Sequence, residues 1–267
     1  MNVEFVSVTS TDKRDEHGRQ LTAEDLIVYT ARVSNPSNQL NLATAPKLLA
    51  YCIRNRHWSV FDLADLCVEI KTSRAIAAQI LRHHSFRFQE FSQRYAMAFG
   101  SEPIELRRPG ATNRQSSEEP LNNPLLDVLV EEHVMDGFEL YGRLVAEGAS
   151  KETARFVLPL STQTTLYMKG SVRSWVHYLM VRDDPHAQKE HRVVAQAVRP
   201  IMQKHFPNVM AAVDSIRCAR SLAPQLAALA LAAKNERSLG SVSQEAQNAL
   251  TAFVLENVDD LVLAMES

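Results

Sequence analysis

Between Asp65 and His84 the hydrophobic period of the chain changes without an intervening linker. DLCVEIKTS, residues 65–73, alternates apolar and polar side chains as a strand does, and RAIAAQILRHH, residues 74–84, returns to helical spacing. A strand that feeds straight into a helix restricts the chain to folds that mix the two. It also delivers RHHSFRFQEFSQRY, residues 82–95, to the place where a helix ends and a loop or strand begins. That segment holds three arginines, two histidines, a glutamate and two serines beside phenylalanines that cannot all face water.

Around this switch the pattern is mostly helical. VEFVSV, residues 3–8, reads as a strand; Thr22 is an N-cap candidate for a helix beginning near residue 23, and a second helix is predicted from about Ala45 to Asn55. Residues 101–123, with three prolines, a glycine and a polar run, have loop composition and read as a lid or as plain surface. From Leu125 onward helical spacing covers LLDVLVEEHVMDGFELYGRLVAEG, KETARFVLPL, residues 168–183 and about Gln188 to His205. The tail from Leu222 reads as two helices separated by SLGSVS and bears no chemistry. The expected organisation is a catalytic unit over 1–221 and a C-terminal helical extension over 222–267.

Composition removes several classes of function. A net charge of −2 leaves no long-range positive field for a general nucleic-acid binder, so arginine clusters here should hold small anions. Three cysteines in no CxxC pair fit a reduced cytoplasmic protein. The N-terminal MNVEFVSVTS is no secretory signal and no apolar run reaches eighteen residues, so no membrane partner is expected.

Three constellations carry polar chemistry. On a helix ending near residue 84, Gln79, Arg82 and His83 share one face, and in an extended continuation Glu90, Ser92 and Arg94 alternate onto a common side. The guanidinium fork suits phosphate, although surface charges satisfying one another would leave the same pattern. ARFVLPL places Arg155 at the edge of an apolar run, where an arginine can equally snorkel. In KGSVRSWVHYLMVRDDPHAQ, residues 169–188, a single helix would aim Ser171 and Arg182 within about 20° of each other and His177 about 120° away. Such a helix serves two walls, or two subunits, or merely exposes polar residues opposite Trp175, Leu179 and Val181.

Absences narrow the reading. Neither a GxGxxG turn nor a Walker A sequence is present, so a nucleotide must be gripped by side chains. His83 and His84 diverge on a helix and His186 and His191 are five apart, so no metal site is expected. Cys52 near Arg54 and Arg56 is the one cysteine in a basic setting, and Ser92 has no evident base.

These motifs resemble the flavin-dependent thymidylate synthases, whose signature is Arg-His-Arg, seven residues, then Ser. Here it stands as Arg82-His83-His84, seven residues, Ser92, then QRY. ARVS at 31–34, HWSVFD at 57–62, ARFVLPL at 154–160 and GSVRSWVHYLMVRDDPHAQ at 170–188 agree in the same order, so the resemblance spans roughly 25–205. It implies an α+β, helix-rich thymidylate synthase-complementing fold with a small antiparallel sheet, assembled as a homotetramer with FAD at subunit interfaces. It implies transfer of a one-carbon unit from 5,10-methylenetetrahydrofolate to C5 of dUMP, with hydride from FAD reduced by NADPH, giving dTMP.

Carried onto this sequence, the resemblance assigns dUMP to Gln79, Arg82, Glu90, Phe91, Ser92, Gln93, Arg94 and Arg155, and polarisation of the uracil ring to Arg182. FAD falls to Ser59, Arg82, His83, His84, Glu90, Ser171, Val172, Arg173 and His177. His84 replaces the third signature arginine, and imidazole offers an anion less positive charge at neutral pH than guanidinium does. Arg87, three residues on, is the expected substitute. A flavoprotein acting on uracil in another substrate, and a non-catalytic nucleotide- or RNA-binding module, stay open as rivals.

Overall fold

In the computed structural model, which describes residues 1–111 and 116–218, the alternating stretch 65–73 is a strand paired along both edges. In chain order the elements are β1 (Asn2–Val8), α1 (Ala23–Ala31), α2 (Ala45–Arg54), β2 (Asp65–Ser73), α3 (Arg74–Ile80), β3 (Arg87–Glu90), β4 (Arg107–Pro109), β5 (Ser117–Pro120), α4 (Pro124–Ala146), α5 (Lys151–Ala154), β6 (Gln163–Ser171), α6 (Val172–Arg182) and α7 (Lys189–His205). A further helical stretch covers 207–218. This is the helix-rich α+β class expected, with a four-stranded antiparallel sheet in the order β1-β2-β6-β3. Met1–Ser10 with Phe61–Met202 form one compact unit, and Thr11–Val60 with the described residues from Gln203 form another. The expected boundary at 222 and the extension beyond it lie outside the described residues.

In the first unit, register puts apolar on apolar. Leu66 pairs with Gly170, Val68 with Met168 and Ile70 with Leu166, and all six are buried. Each such aliphatic side chain contributes about 1.5–3 kcal/mol when fully removed from water. Helices α3 and α6 pack on β2 and β6. Each begins at a serine that ends a strand: Ser73 Oγ accepts from the Ile76 amide at 3.3 Å and Ser171 Oγ from the Ser174 amide at 3.3 Å. Trp175, fully buried, donates its indole N–H to the Leu66 carbonyl at 3.0 Å and meets the Phe86 ring edge-on at 4.7 Å. A Cβ on Gly170 would stand 2.5 Å from Phe86 Cδ1, so only glycine lets that ring approach the strand.

Several expectations change here. Helix α3 stops at Ile80, and residues 82 and 83 follow as tight turns, with Arg82 N on Gln79 O and His83 N on Ile80 O. The helix cannot continue because Phe86 must turn into the core. Strand β3 ends at Glu90, and the Ser92 carbonyl accepts from the Tyr95 and Ala96 amides, so Glu90, Ser92 and Arg94 do not alternate along one extended side. The stretch 168–183 is not one helix: Ser171 closes β6 and caps α6. Residues 101–123 are not wholly loop but pair as the β4–β5 hairpin.

In the second unit, Thr22 caps α1 with a full capping box to Asp25, as its position in the sequence suggests. Buried Glu24 takes hydrogen bonds from Asn208 Nδ2 at 2.8 Å and the Val209 amide at 2.9 Å. Arg32, 9% exposed, binds the carbonyls of Asn38 and Asn41 and the Thr44 hydroxyl, closing the loop after α1. Ser59 is exposed in the 3-10 helix Trp58–Leu63.

Candidate active site

The site residues expected from sequence fall into three groups within the first unit, apart from Ser59. The first forms where α3 ends beside α6. Arg182, in the last turn of α6, donates from Nε to His83 Nε2 at 3.0 Å. The bond requires the His83 proton on Nδ1 and a neutral ring. Burial, then the charges of Arg182 and Arg82, push His83 down to about 4, so the ring is neutral at physiological pH. The outer nitrogens of Arg182 have no partner among the described residues, and Arg82 stands exposed nearby without one. A guanidinium anchored by its inner nitrogen with its fork left over is shaped to meet a planar acceptor.

Under this pair lies a residue that sequence did not select. His191 is fully buried at 0% exposure, packs edge-on against His83 at 5.9 Å and contacts Gln79 through Nδ1 at 3.3 Å. Burial, then Arg182 and His83, push it down to about 3. Its five-residue separation from His186 speaks only against metal binding and gives no sign of this packing. Tyr178, 1% exposed, closes the group, and burial raises its hydroxyl.

Two histidines held neutral in the fold set a pH dependence. Below about pH 6.5 the unfolded chain takes up protons that folded His83 and His191 refuse, so stability falls as pH drops from there toward 4. Thermal melting across this range should show a declining Tm, and His191→Leu should flatten the decline.

The second group gathers around Glu152 on α5. Arg94 binds the Glu152 carboxylate through Nε at 2.7 Å and Nη2 at 2.6 Å, while Arg155 donates to the Glu152 carbonyl at 3.2 Å. Two arginines sixty-one residues apart in sequence thus share one anchor. Phe91 and Ser92 are exposed beside β3, and Gln93, 6% exposed, has a buried Nε2 with no partner among the described residues. Glu90 is engaged with Arg74 and with Thr164 Oγ1 at 3.0 Å. No hydrogen bond, ion pair or ring contact among the described residues joins this group to the Arg182 group.

The third group lines a cavity of about 610 Å³ bounded by β2, β6, α6 and the turn before β3. Ser171, Arg173 and His177 line it together with Ser85, Arg87, Lys169 and Asp62. Asp62 accepts from Ser171 Oγ at 2.7 Å and pairs with Arg173 at 3.2 Å, and Lys169 pairs with Asp65 at 3.6 Å. Among the described residues Arg87 has only the carbonyls of His84 and Phe86 as partners, which leaves its positive charge for a ligand. Hydroxyls, an imidazole and an unpaired guanidinium around such a volume fit a phosphate-bearing cofactor such as FAD. Val172 is buried and its amide donates to the Ala64 carbonyl; His84 is exposed and does not line the cavity.

Cys52 is buried and burial raises its thiol, which disfavours the thiolate. Among the described residues no cluster of three His, Cys, Asp or Glu is placed to hold a metal, and no helix is long and apolar enough to cross a membrane.

Comparison with known proteins agrees with this chemistry. Residues 19–208 match the family described as thymidylate synthase complementing protein. A flavin-dependent thymidylate synthase from Synechocystis sp. is 48% identical over 222 residues, 80% of this chain and 100% of that protein. A protein of Paramecium bursaria Chlorella virus 1, named a probable flavin-dependent thymidylate synthase, is 48% identical over 197 residues, 72% of this chain and 91% of its own. In fold, the chain is similar to a UMP/dUMP methylase from Streptomyces cacaoi solved with 5-Br dUMP, with TM-score 0.66 and 24% identity over 79% of this chain and 93% of that one. A family match running through all three groups of site residues, with relatives this similar over most of the sequence, means that the chain belongs to the thymidylate synthase complementing family.

Proposed function

We propose that this protein is a flavin-dependent thymidylate synthase that methylates C5 of dUMP to give dTMP. The observation that carries the reading is the Arg182 guanidinium, held at Nε by neutral His83 and open at its outer nitrogens. Burial raises the thiols of Cys52 and Cys67, which disfavours a thiolate nucleophile, so this reading assigns activation to charge. Arg182 binds the N3–O2 edge of uracil and stabilises the negative charge that spreads there as C5 becomes nucleophilic. Arg94 and Arg155 exchange their Glu152 contacts for the phosphate, and Arg82 stands between nucleotide and cofactor.

Ser171, Arg173, His177 and Arg87 hold FAD, with Lys169 adding positive charge to the cavity wall. Reduced FAD supplies the hydride that completes the methyl group, NADPH restores it, and 5,10-methylenetetrahydrofolate gives the carbon. Family resemblance also assigns Ser59, Val172 and His84 to FAD.

The two arginine groups reach one nucleotide when copies of the chain assemble as a homotetramer. Exposed apolar residues along α4, Leu125, Val128, Leu129 and Met135 among them, support such an assembly. Cytoplasmic location follows from the substrates.

The direct test supplies dUMP, NADPH and 5,10-methylenetetrahydrofolate with and without FAD. dTMP should form only with flavin. Protein that stays colourless after FAD is added would overturn the reading, and nucleotide binding without NADPH oxidation would favour a binding module. A second prediction concerns the signature departure. Arg87→Ala should weaken FAD binding by about tenfold, the loss expected for one charge-assisted hydrogen bond, and His84→Arg should recover part of it in that background. Fluorescence titration of FAD measures both.

A further inference from the structure

Gln79 does not present its amide freely. Its Nε2 donates to Gln188 Oε1 at 2.6 Å, and its Oε1 faces His191 Nδ1 at 3.3 Å. Gln188 in turn donates from Nε2 to Glu190 Oε2 at 2.9 Å, and Glu190 Oε1 pairs with Arg107 Nη2 at 2.6 Å. The run therefore starts on β4 of the hairpin, passes through two side chains at the start of α7, and ends on the residue that the proposed reading assigns to dUMP.

The chemistry of its ends gives the run a direction. A carboxylate only accepts, so Gln188 must turn its NH2 toward Glu190 and its carbonyl toward Gln79. That carbonyl only accepts, so Gln79 must turn its NH2 toward Gln188 and its own carbonyl toward His191. His191 then carries its proton on Nδ1 and donates. Burial works against the charge of Glu190, but hydrogen bonds from Gln188 and its own amide, with Arg107, outweigh it and keep the carboxyl below its usual range. The side chain of Arg107 is 7% exposed, so the anchor is a held one.

We infer that Gln188 and Glu190 are positioning residues that fix the orientation of the Gln79 amide, so that the hydrogen left on its Nε2 meets a carbonyl oxygen of the pyrimidine and rejects an amino group. The relay makes the site a reader of uracil against cytosine. The inference rests on the proposed dUMP site.

The test is the ratio of affinities for dUMP and dCMP, measured by calorimetry on the full-length FAD-bound protein. Glu190→Gln keeps the shape and the acceptor for Arg107 but can donate, which frees both amides to flip. Wild type should prefer dUMP, and Glu190→Gln should narrow the ratio by about three- to tenfold, the span of one neutral hydrogen bond. Gln188→Leu, which removes both contacts of that side chain, should narrow it similarly. A structural defect alone would weaken both nucleotides together and leave the ratio standing, which would overturn the inference. Equal binding of both nucleotides by wild type would also overturn it while leaving the dUMP site intact. Wild type that binds no dUMP would overturn the site reading and the relay with it.

Discussion

Arg182→Ala is expected to lower dTMP formation by about 10²- to 10³-fold, the cost of one donor aimed at charge that develops in the transition state. The effect should fall on kcat more than on FAD content, because Arg182 contacts His83 and none of the residues lining the cavity proposed for FAD. Lysine should rescue little. An ammonium has neither the inner nitrogen that engages His83 nor the planar fork that matches the N3–O2 edge. The substitution should also be visible on His83 itself. With the neighbouring positive charge gone, its titration should move up from about 4 toward the ordinary histidine range, which proton NMR would follow. A variant with near-normal kcat, or one that loses flavin in parallel with activity, would contradict the assignment.

The largest structural effect is expected at Trp175. Truncation to alanine removes a fully buried indole, its hydrogen bond to Leu66 and its edge-on contacts with Phe86 and Tyr178. A loss of about 3–5 kcal/mol is typical of such a deletion. For a chain of this size that corresponds to a fall in Tm of about 10 °C. The damage should reach function, since Phe86 packs on Gly170 in the cavity wall and His83 packs on Tyr178 beneath Arg182. Trp175→Phe keeps most of the packing and should cost well under half as much. Denaturant melts of the two variants, with FAD retention on the same samples, measure both consequences.

What was legible in the sequence was whatever a local rule controls. Thr22 announced α1 because its hydroxyl and Asp25 close a capping box within four residues. Strand β2 was clear because its buried positions, Leu66, Val68 and Ile70, are strongly apolar and its exposed ones are not. Strand β6 has the same alternation, but its buried positions include Thr164 and Gly170, so the period is faint and the end of the strand, residues 168–171, reads as helix. The end of α3 is hidden in the sequence for a related reason. Gln79, Arg82 and His83 do have helical spacing, and only the need to bury Phe86 against Trp175 ends the helix first.

The candidate site divides in the same way. Arg82, Ser92, Arg155, Arg173 and Arg182 could be singled out because their motifs are short and ordered along the chain. The residues that hold them could not. Glu152 meets Arg94, His191 supports Gln79, and Asp62 meets Ser171 and Arg173, all through contacts distant in sequence. No periodicity encodes such partners, because each is chosen by the fold and not by its neighbours along the chain.

The central proposal is that guanidinium groups joined by no contact among the described residues of one chain converge on one nucleotide where copies of the chain meet. Complementation tests this most directly. Arg94→Ala and Arg182→Ala proteins, each nearly inactive alone, are unfolded together, refolded with FAD and assayed for dTMP. Sites shared between copies predict that part of the wild-type activity returns, since some sites then draw an intact Arg94 and an intact Arg182 from different chains. A mixture that refolds, binds FAD and remains as inactive as its parents would contradict the account.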